Sequence, residues 1–310
     1  DSVYSYMIPV EYPKVGEDLT KVKIGVIDLI NNKVTWMKIP GAENKFYLPR
    51  MTWIPQTNNL MIQQLNREQN HSKLFVANSE NGDARLLMEE KDDAWVDVRT
   101  SWPYQTIAGW KFINQGQEFL YTSEKDGWSH IYRYHIKRQT EHLVTKGDYD
   151  VINPLAYDKE NQQVYFIASP ENPTERYLYK ISVDGEGTLE RVTPSTLEGS
   201  HEYQISTNAK YAFHSFSNYY TAPMDAVVSL PDHKFLNEEE NMFSKFYPFS
   251  KKFHPLEFFE ITTEDDITME GWLVKPKNLD PNKKYPVLFY FYSEPARQTG
   301  VNQYGAGYNS

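Results

Sequence analysis

With 310 residues, 40% of them apolar and 15% aromatic, the chain has material for one large β-rich domain or two ordinary ones, and its aromatic content favours sheet over a helical bundle. A formal charge of −10 spread along the sequence argues against nucleic acid or an anionic membrane as the main partner, and the absence of cysteine removes disulfides, thiolate nucleophiles and cysteine-based zinc sites. No apolar run reaches the roughly 20 residues of a membrane span, and Asp1-Ser2-Val3-Tyr4 does not open a secretory signal.

In chain order, Val3 to Ile8 is strand-like, Tyr12-Pro13-Lys14-Val15-Gly16 turns the chain, and Val22 to Leu29 alternates into Asn31-Asn32 before Val34 to Ile39. This reads as the later half of a repeat. Four fuller copies follow. Their first strands centre near Leu60, Phe119, Val164 and Tyr211, the next near Leu74, Ile131, Leu178 and Asp225, and three copies add a strand near Leu86, Leu143 and Val192. The stretch Gly116 to Lys146 shows the unit most plainly, with β-favouring runs split by Lys125-Asp126-Gly127 and Lys137-Arg138-Gln139.

A period of about 45 residues is that of four-stranded propeller blades. One such sheet cannot bury both faces, so blades stack and each completes its neighbour's core. Residues 1–252 are therefore expected to form a partial β-propeller of about four and a half blades. The longer gap between the first two full copies carries Trp95, Trp102 and Tyr104 among several aspartates. Amphipathic aromatics in an inserted connection suit either the lining of a substrate pocket or packing between blades. These three are the candidate substrate contacts.

After Ser250-Lys251-Lys252 the pattern changes. Phe258 to Thr263 and Ile267 to Val274 form a hairpin, and Tyr285 to Tyr292 is a near-continuous apolar run, as in a strand buried on both faces of an α/β sheet. Residues 253–310 are thus expected to hold the first strands of a truncated α/β domain.

Few residues suggest chemistry. Gly127-Trp128-Ser129-His130 lacks the second glycine of a nucleophile elbow, and the repeat places Ser129 and His130 at the start of a blade strand. Ser200-His201-Glu202 are adjacent, whereas a working triad converges from separate segments. Glu89-Glu90 ends a strand and reads as solvated rather than as a paired acid. No histidine spacing suits a metal and no glycine-rich phosphate loop follows a strand, so no metal or cofactor is expected. Asn70-His71-Ser72 fits the glycosylation sequon.

Lys283-Lys284-Tyr285-Pro286-Val287-Leu288 and Tyr292-x-x-Pro295 follow the repeats, which themselves contain Tyr12-Pro13-Lys14-Val15-Gly16, Asp126-Gly127-Trp128-Ser129-His130-Ile131-Tyr132, Leu178-Tyr179-Lys180-Ile181 and Ser250-Lys251-Lys252. In this order the stretches resemble the dipeptidyl peptidase IV family of prolyl oligopeptidase-type serine peptidases. The resemblance implies a propeller capping an α/β-hydrolase domain that removes X-Pro or X-Ala dipeptides from peptides with a free N-terminus. It assigns Tyr292 to oxyanion stabilisation. It places the catalytic Ser, Asp and His after residue 310 and the amine-binding Glu pair before residue 1, so this chain alone is expected to be inactive.

Glu294 departs from the small residue usual before that proline. The resemblance also implies a periplasmic, cell-envelope or extracellular location. Uncovered blade faces predict self-association, in the first instance as a dimer. The competing reading is a non-catalytic binding or scaffolding propeller joined to an inactive hydrolase-like domain.

Overall fold

The computed structural model describes residues 3–10, 14–41, 45–98, 109–236, 256–291 and 298–305. Contacts divide the chain into two compact units, the first built on Asp1–Thr100, Gly109–Asp126 and Tyr134–Glu141, the second on Gly127–Arg133 and His142–Ser310. The fold is mainly β, its sheets are the blades of a partial β-propeller, and no α-helix occurs among the described residues.

In the first unit β1 (Gly25–Ile27) pairs with β2 (Val34–Trp36) through a turn in which Asp28 Oδ1 accepts from Ile30 N at 2.8 Å and Asn31 Oδ1 from Lys33 N at 2.9 Å. Such side chains replace the backbone partner that a tight turn removes. The next sheet is an antiparallel meander of β3 (Phe46–Trp53), β4 (Asn59–Asn66), β5 (His71–Asn78) and β6 (Ala84–Lys91). Its turns use the same device: Asn66 Oδ1 accepts from the amides of Asn70 and His71, and Asn78 Oδ1 from those of Glu80 and Asn81. Leu60, Ile62 and Ala77 meet Met37 from beyond β2, closing one face of this sheet against the β1–β2 hairpin.

The third sheet runs in the order β10-β9-β8-β7, with β7 at Trp110–Ile113, β8 at Glu118–Ser123, β9 at His130–His135 and β10 at Thr140–Leu143. A 3-10 turn, Asn114–Gly116, joins its first two strands. The division between the units passes through this sheet.

The second unit continues with β11 (Val151–Asp158), β12 (Gln163–Ala168), β13 (Tyr177–Ser182) and the two-residue β14 (Glu190–Arg191), then β15 (Ser200–Ile205), β16 (Tyr211–Asn218) and β17 (Thr221–Ser229). Tyr165, Ile167, Leu178 and Val192 from the former sheet pack with Tyr203, Ala212, Val228 and Leu230 from the latter. Each sheet alone leaves such a face open, and stacking closes it. A last hairpin pairs β18 (Leu256–Thr262) with β19 (Thr268–Val274) in unbroken register.

Three details differ from the sequence expectation. Every full sheet begins one strand earlier than the period marks, at β3, β7, β11 and β15. Val3 to Ile8 forms no strand and is exposed. Residues 285–291 form no strand either, and Leu288 and Phe289 are 93% and 81% exposed. A strand buried on both faces needs partners at both edges and a layer on each side, and no strand pairs with this run among the described residues. The boundary expected at residue 252 lies outside the described residues.

Candidate functional site

Of the four residues singled out in the sequence, the structure places one. Asp92 Oδ1 accepts from the amides of Ala94 and Trp95 at 2.7 and 3.1 Å, an Asx turn that directs the chain away from β6 and leaves Trp95 41% exposed. Trp102, Tyr104 and Tyr292 lie outside the described residues. The same connection does line a cavity, through Val96, Asp97 and Val98 facing Glu89, Glu90 and Trp110. Its volume of about 40 Å³ suits a water molecule or two. Peptide-sized ligands need pockets of roughly 300–1,000 Å³.

Charge is arranged tightly around this cavity. The Arg50 guanidinium lies 3.9 Å over the Trp110 ring and donates from Nη2 to Trp110 O at 3.3 Å, and burial lowers its pKa to about 10. Glu89 and Glu90 go separate ways because neighbours on a strand face opposite sides. Glu89 is exposed and accepts a hydrogen bond from His71 Nε2 at 2.9 Å, which holds its carboxyl below the ordinary range. Glu90 turns inward, accepts from Ser123 Oγ at 2.5 Å, and is pushed above the ordinary range by burial. The expectation that both are solvated fails for Glu90, whose partner comes from a strand 33 positions away. Beside it Tyr121 OH donates to Glu141, which also receives Lys125 Nζ at 2.5 Å.

In the second unit Ser129 immediately precedes β9. Its amide donates to Asp150 Oδ1 at 2.7 Å, its hydroxyl to Val151 O at 3.3 Å, and it is 2% exposed, so it presents no nucleophile to solvent. Ser200, His201 and Glu202 alternate along β15 without converging, since Ser200 Oγ donates to Asn302 O while Glu202 faces solvent.

His201 instead joins a buried stack that the sequence reading missed. His201 Nε2 lies 3.0 Å from Leu197 O, and a carbonyl can only accept, so this nitrogen carries the proton. The neutral ring then accepts at Nδ1 from His214 Nε2, 2.8 Å away, with the two rings stacked at 5.1 Å. Tyr203, stacked on His214 at 4.5 Å, meets His233 Nε2 and Thr193 Oγ1, each at 2.9 Å. Desolvation lowers the pKa of His201 to about 3 and of His214 to about 2, and raises that of the Tyr203 hydroxyl. Rings that stay neutral serve as fixed donors and acceptors. The signal was present in the spacing, because His201 with Tyr203 and His214 with Phe216 each share one strand face.

Among the described residues no group of three or more His, Asp or Glu suits a metal ion, and no helix is long and apolar enough to cross a membrane.

Known proteins place these sheets. Residues 1–223 match the family model described as the dipeptidyl peptidase IV (DPP IV) N-terminal region. A probable dipeptidyl-aminopeptidase B of Penicillium rubens is 26% identical over 306 residues, covering 96% of this chain and 33% of the relative. Dipeptidyl peptidase 4 of Trichophyton rubrum is 25% identical over 303 residues, covering 95% of this chain and 38% of the relative. The chain therefore spans about a third of the length of the curated relatives it matches. The crystal structure of Porphyromonas gingivalis dipeptidyl peptidase 4 superposes with a TM-score of 0.80 at 26% identity, covering 95% of this chain and 40% of that one. A putative dipeptidyl aminopeptidase IV from Bacteroides ovatus gives a TM-score of 0.76 at 22% identity and supports the fold alone. With its family match running through the four-stranded sheets to Pro223, the chain belongs to the dipeptidyl peptidase IV family, as part of that family's N-terminal region.

Proposed function

We propose that the protein containing these residues is a serine-type dipeptidyl peptidase that releases X-Pro or X-Ala dipeptides from peptides with a free N-terminus. The observation that carries this reading is continuity: the fold of P. gingivalis dipeptidyl peptidase 4 is followed over 95% of the chain, past the family match that ends at residue 223. In this reading the propeller restricts entry and helps anchor the substrate, with Trp95, Trp102 and Tyr104 as candidate contacts. The Tyr292 hydroxyl donates to the oxyanion of the tetrahedral intermediate, where a donor aimed at developing charge in a dry site lowers the barrier by a few kcal/mol.

The 310 residues contain no Gly-x-Ser-x-Gly, so the nucleophile belongs to other parts of the protein and this stretch alone is inactive. The protein works in the periplasm, the cell envelope or outside the cell, and self-associates as a dimer.

Hydrolysis of Gly-Pro and Ala-Pro chromogenic substrates by the full-length protein, alongside the 310-residue chain, tests this. Activity in the former and none in the latter is expected. An inert full-length protein that still binds peptides would instead favour a scaffolding propeller. In the active protein Tyr292→Phe should lower kcat by roughly 10²- to 10³-fold, and an unchanged kcat would remove Tyr292 from the mechanism.

A further inference from the structure

Residues 298–305 cross the end loops of the last two blade sheets, and their bonds converge on Asn302. Its backbone amide donates to Thr174 O at 2.6 Å and its carbonyl accepts from Ser200 Oγ at 2.9 Å. Its side chain divides its two functions, Oδ1 accepting from Tyr219 N and Nδ2 donating to Glu175 Oε1, both at 3.0 Å. All four polar atoms of one residue thus engage three places: the loop before β13, the start of β15 and the β16–β17 turn.

The flanking residues hold the same line. Gln298 Nε2 donates to Pro173 O at 2.7 Å, Val301 is 4% exposed, and Tyr304 N reaches Ser217 Oγ at 3.4 Å. On the other side Gly300 lies against β19, where an added Cβ would stand 3.3 Å from Glu270 O. Leu256 at the start of β18 donates to Tyr220 OH at 3.3 Å, so the hairpin is tied to the same turn. The loops are shaped for this approach. Gly199 has φ +143, and a Cβ there would meet Ser217 O at 2.4 Å, forcing apart two of the places that Asn302 joins.

The chemistry selects asparagine. Glu175 is 6% exposed, and burial raises its carboxyl above the ordinary range even though Asn302 donates to it. A carboxylate in place of Asn302 would face like charge, and an apolar side chain would leave a buried carboxyl and an amide without their partner, a costly loss.

We infer that Asn302 is a positioning residue, a latch that fixes residues 298–305 and the neighbouring β18–β19 hairpin to the end loops of the blades. Its consequence for catalysis rests on the peptidase reading: Tyr292 precedes Gln298 by six residues, so the latch anchors the downstream end of the stretch carrying the oxyanion donor.

Hydrogen exchange and steady-state kinetics on the full-length protein separate the two levels. Asn302→Ala should raise exchange at the amides of residues 219 and 302 by about ten- to a hundredfold. Asn302→Asp should do the same at pH 8 but less at pH 5, where the two carboxyls share a proton. Adding Glu175→Gln to Asn302→Asp should restore protection, because the new amide donates to the new carboxylate. Exchange unchanged in Asn302→Ala, or not restored in the double variant, would overturn the latch.

On an Ala-Pro substrate Asn302→Ala should lower kcat about tenfold with KM moving less than about threefold, and the double variant should recover kcat. Raised exchange with unaltered kcat would overturn the positioning role. A wild-type protein that cleaves nothing would refute the peptidase reading, and the exchange data would still decide the latch.

Discussion

Two apolar stretches of the second unit meet opposite fates. In β12 the run Gln163-Val164-Tyr165-Phe166-Ile167-Ala168 is buried almost throughout, with Val164 and Phe166 fully inaccessible. In 285–291 the run Tyr285-Pro286-Val287-Leu288-Phe289-Tyr290-Phe291 is comparably apolar, yet Phe289 and Phe291 are 81% and 75% exposed. The first has β11 and β13 at its edges and the β15–β17 sheet against Tyr165 and Ile167. The second meets the β18–β19 hairpin where the Trp272 ring lies 6.1 Å from the Tyr290 ring, and no strand pairs with it among the described residues. Apolar sequence therefore gives a segment the capacity to be buried, and neighbouring elements decide whether that capacity is used.

The contrast predicts its largest effect where burial is complete. Phe166→Ala should cost about 3–5 kcal/mol in urea unfolding of this chain, while Phe289→Ala should stay within about 0.5 kcal/mol. Equal losses would erase the distinction between the two stretches.

Acid sharpens it next, through His201 and His214. Their folded pKa values, about 3 and about 2, lie below the ordinary 6.5 of an unfolded histidine. The unfolded chain therefore binds more protons below pH 6.5, so the stability these rings contribute is complete above that pH and is lost as pH falls toward 3, at up to about 1.4 kcal/mol per pH unit per proton. Glu90 and Glu175, held above the usual carboxylate range by burial, work in the opposite sense. Urea midpoints between pH 7 and pH 4 should fall less steeply in His214→Phe, which keeps a ring in the stack. An unaltered slope would exclude His214 as a source of acid sensitivity.

The smallest effect belongs to the half-open Lys125–Glu141 pair, each side chain 30% exposed. Lys125→Met should cost less than about 1 kcal/mol and show little dependence on salt once the charge is gone.

The period of the blades was legible because their middle strands are short β-branched and aromatic runs between Asx and glycine turns. Their first strands were hidden for a local reason. Pro49 lies within β3 and Pro154 within β11, and in both strands the pairing register shifts beside the proline. Proline removes a ladder donor and is tolerated at such bulges, so a reading that lets proline end a strand passes over both. β7 offered only four residues. The inward turn of Glu90 and the histidine stack depend on which residue stands opposite which across a sheet, as Tyr203 stands opposite His214. One chain's periodicity gives the face of a residue, and register gives its partner.

Asn302 also bears on the order in which the structure can be assembled. Each blade is a meander closed by neighbours in sequence, so it can form from local contacts as the chain emerges. The bond from Asn302 to Glu175 spans 127 positions and that from Ser200 to Asn302 spans 102. During synthesis the loops of the last two blades must wait, with Glu175 lacking its bond to Asn302, until residues 298–305 have been made. Completion of these loops is thereby tied to the arrival of a segment more than 100 positions downstream.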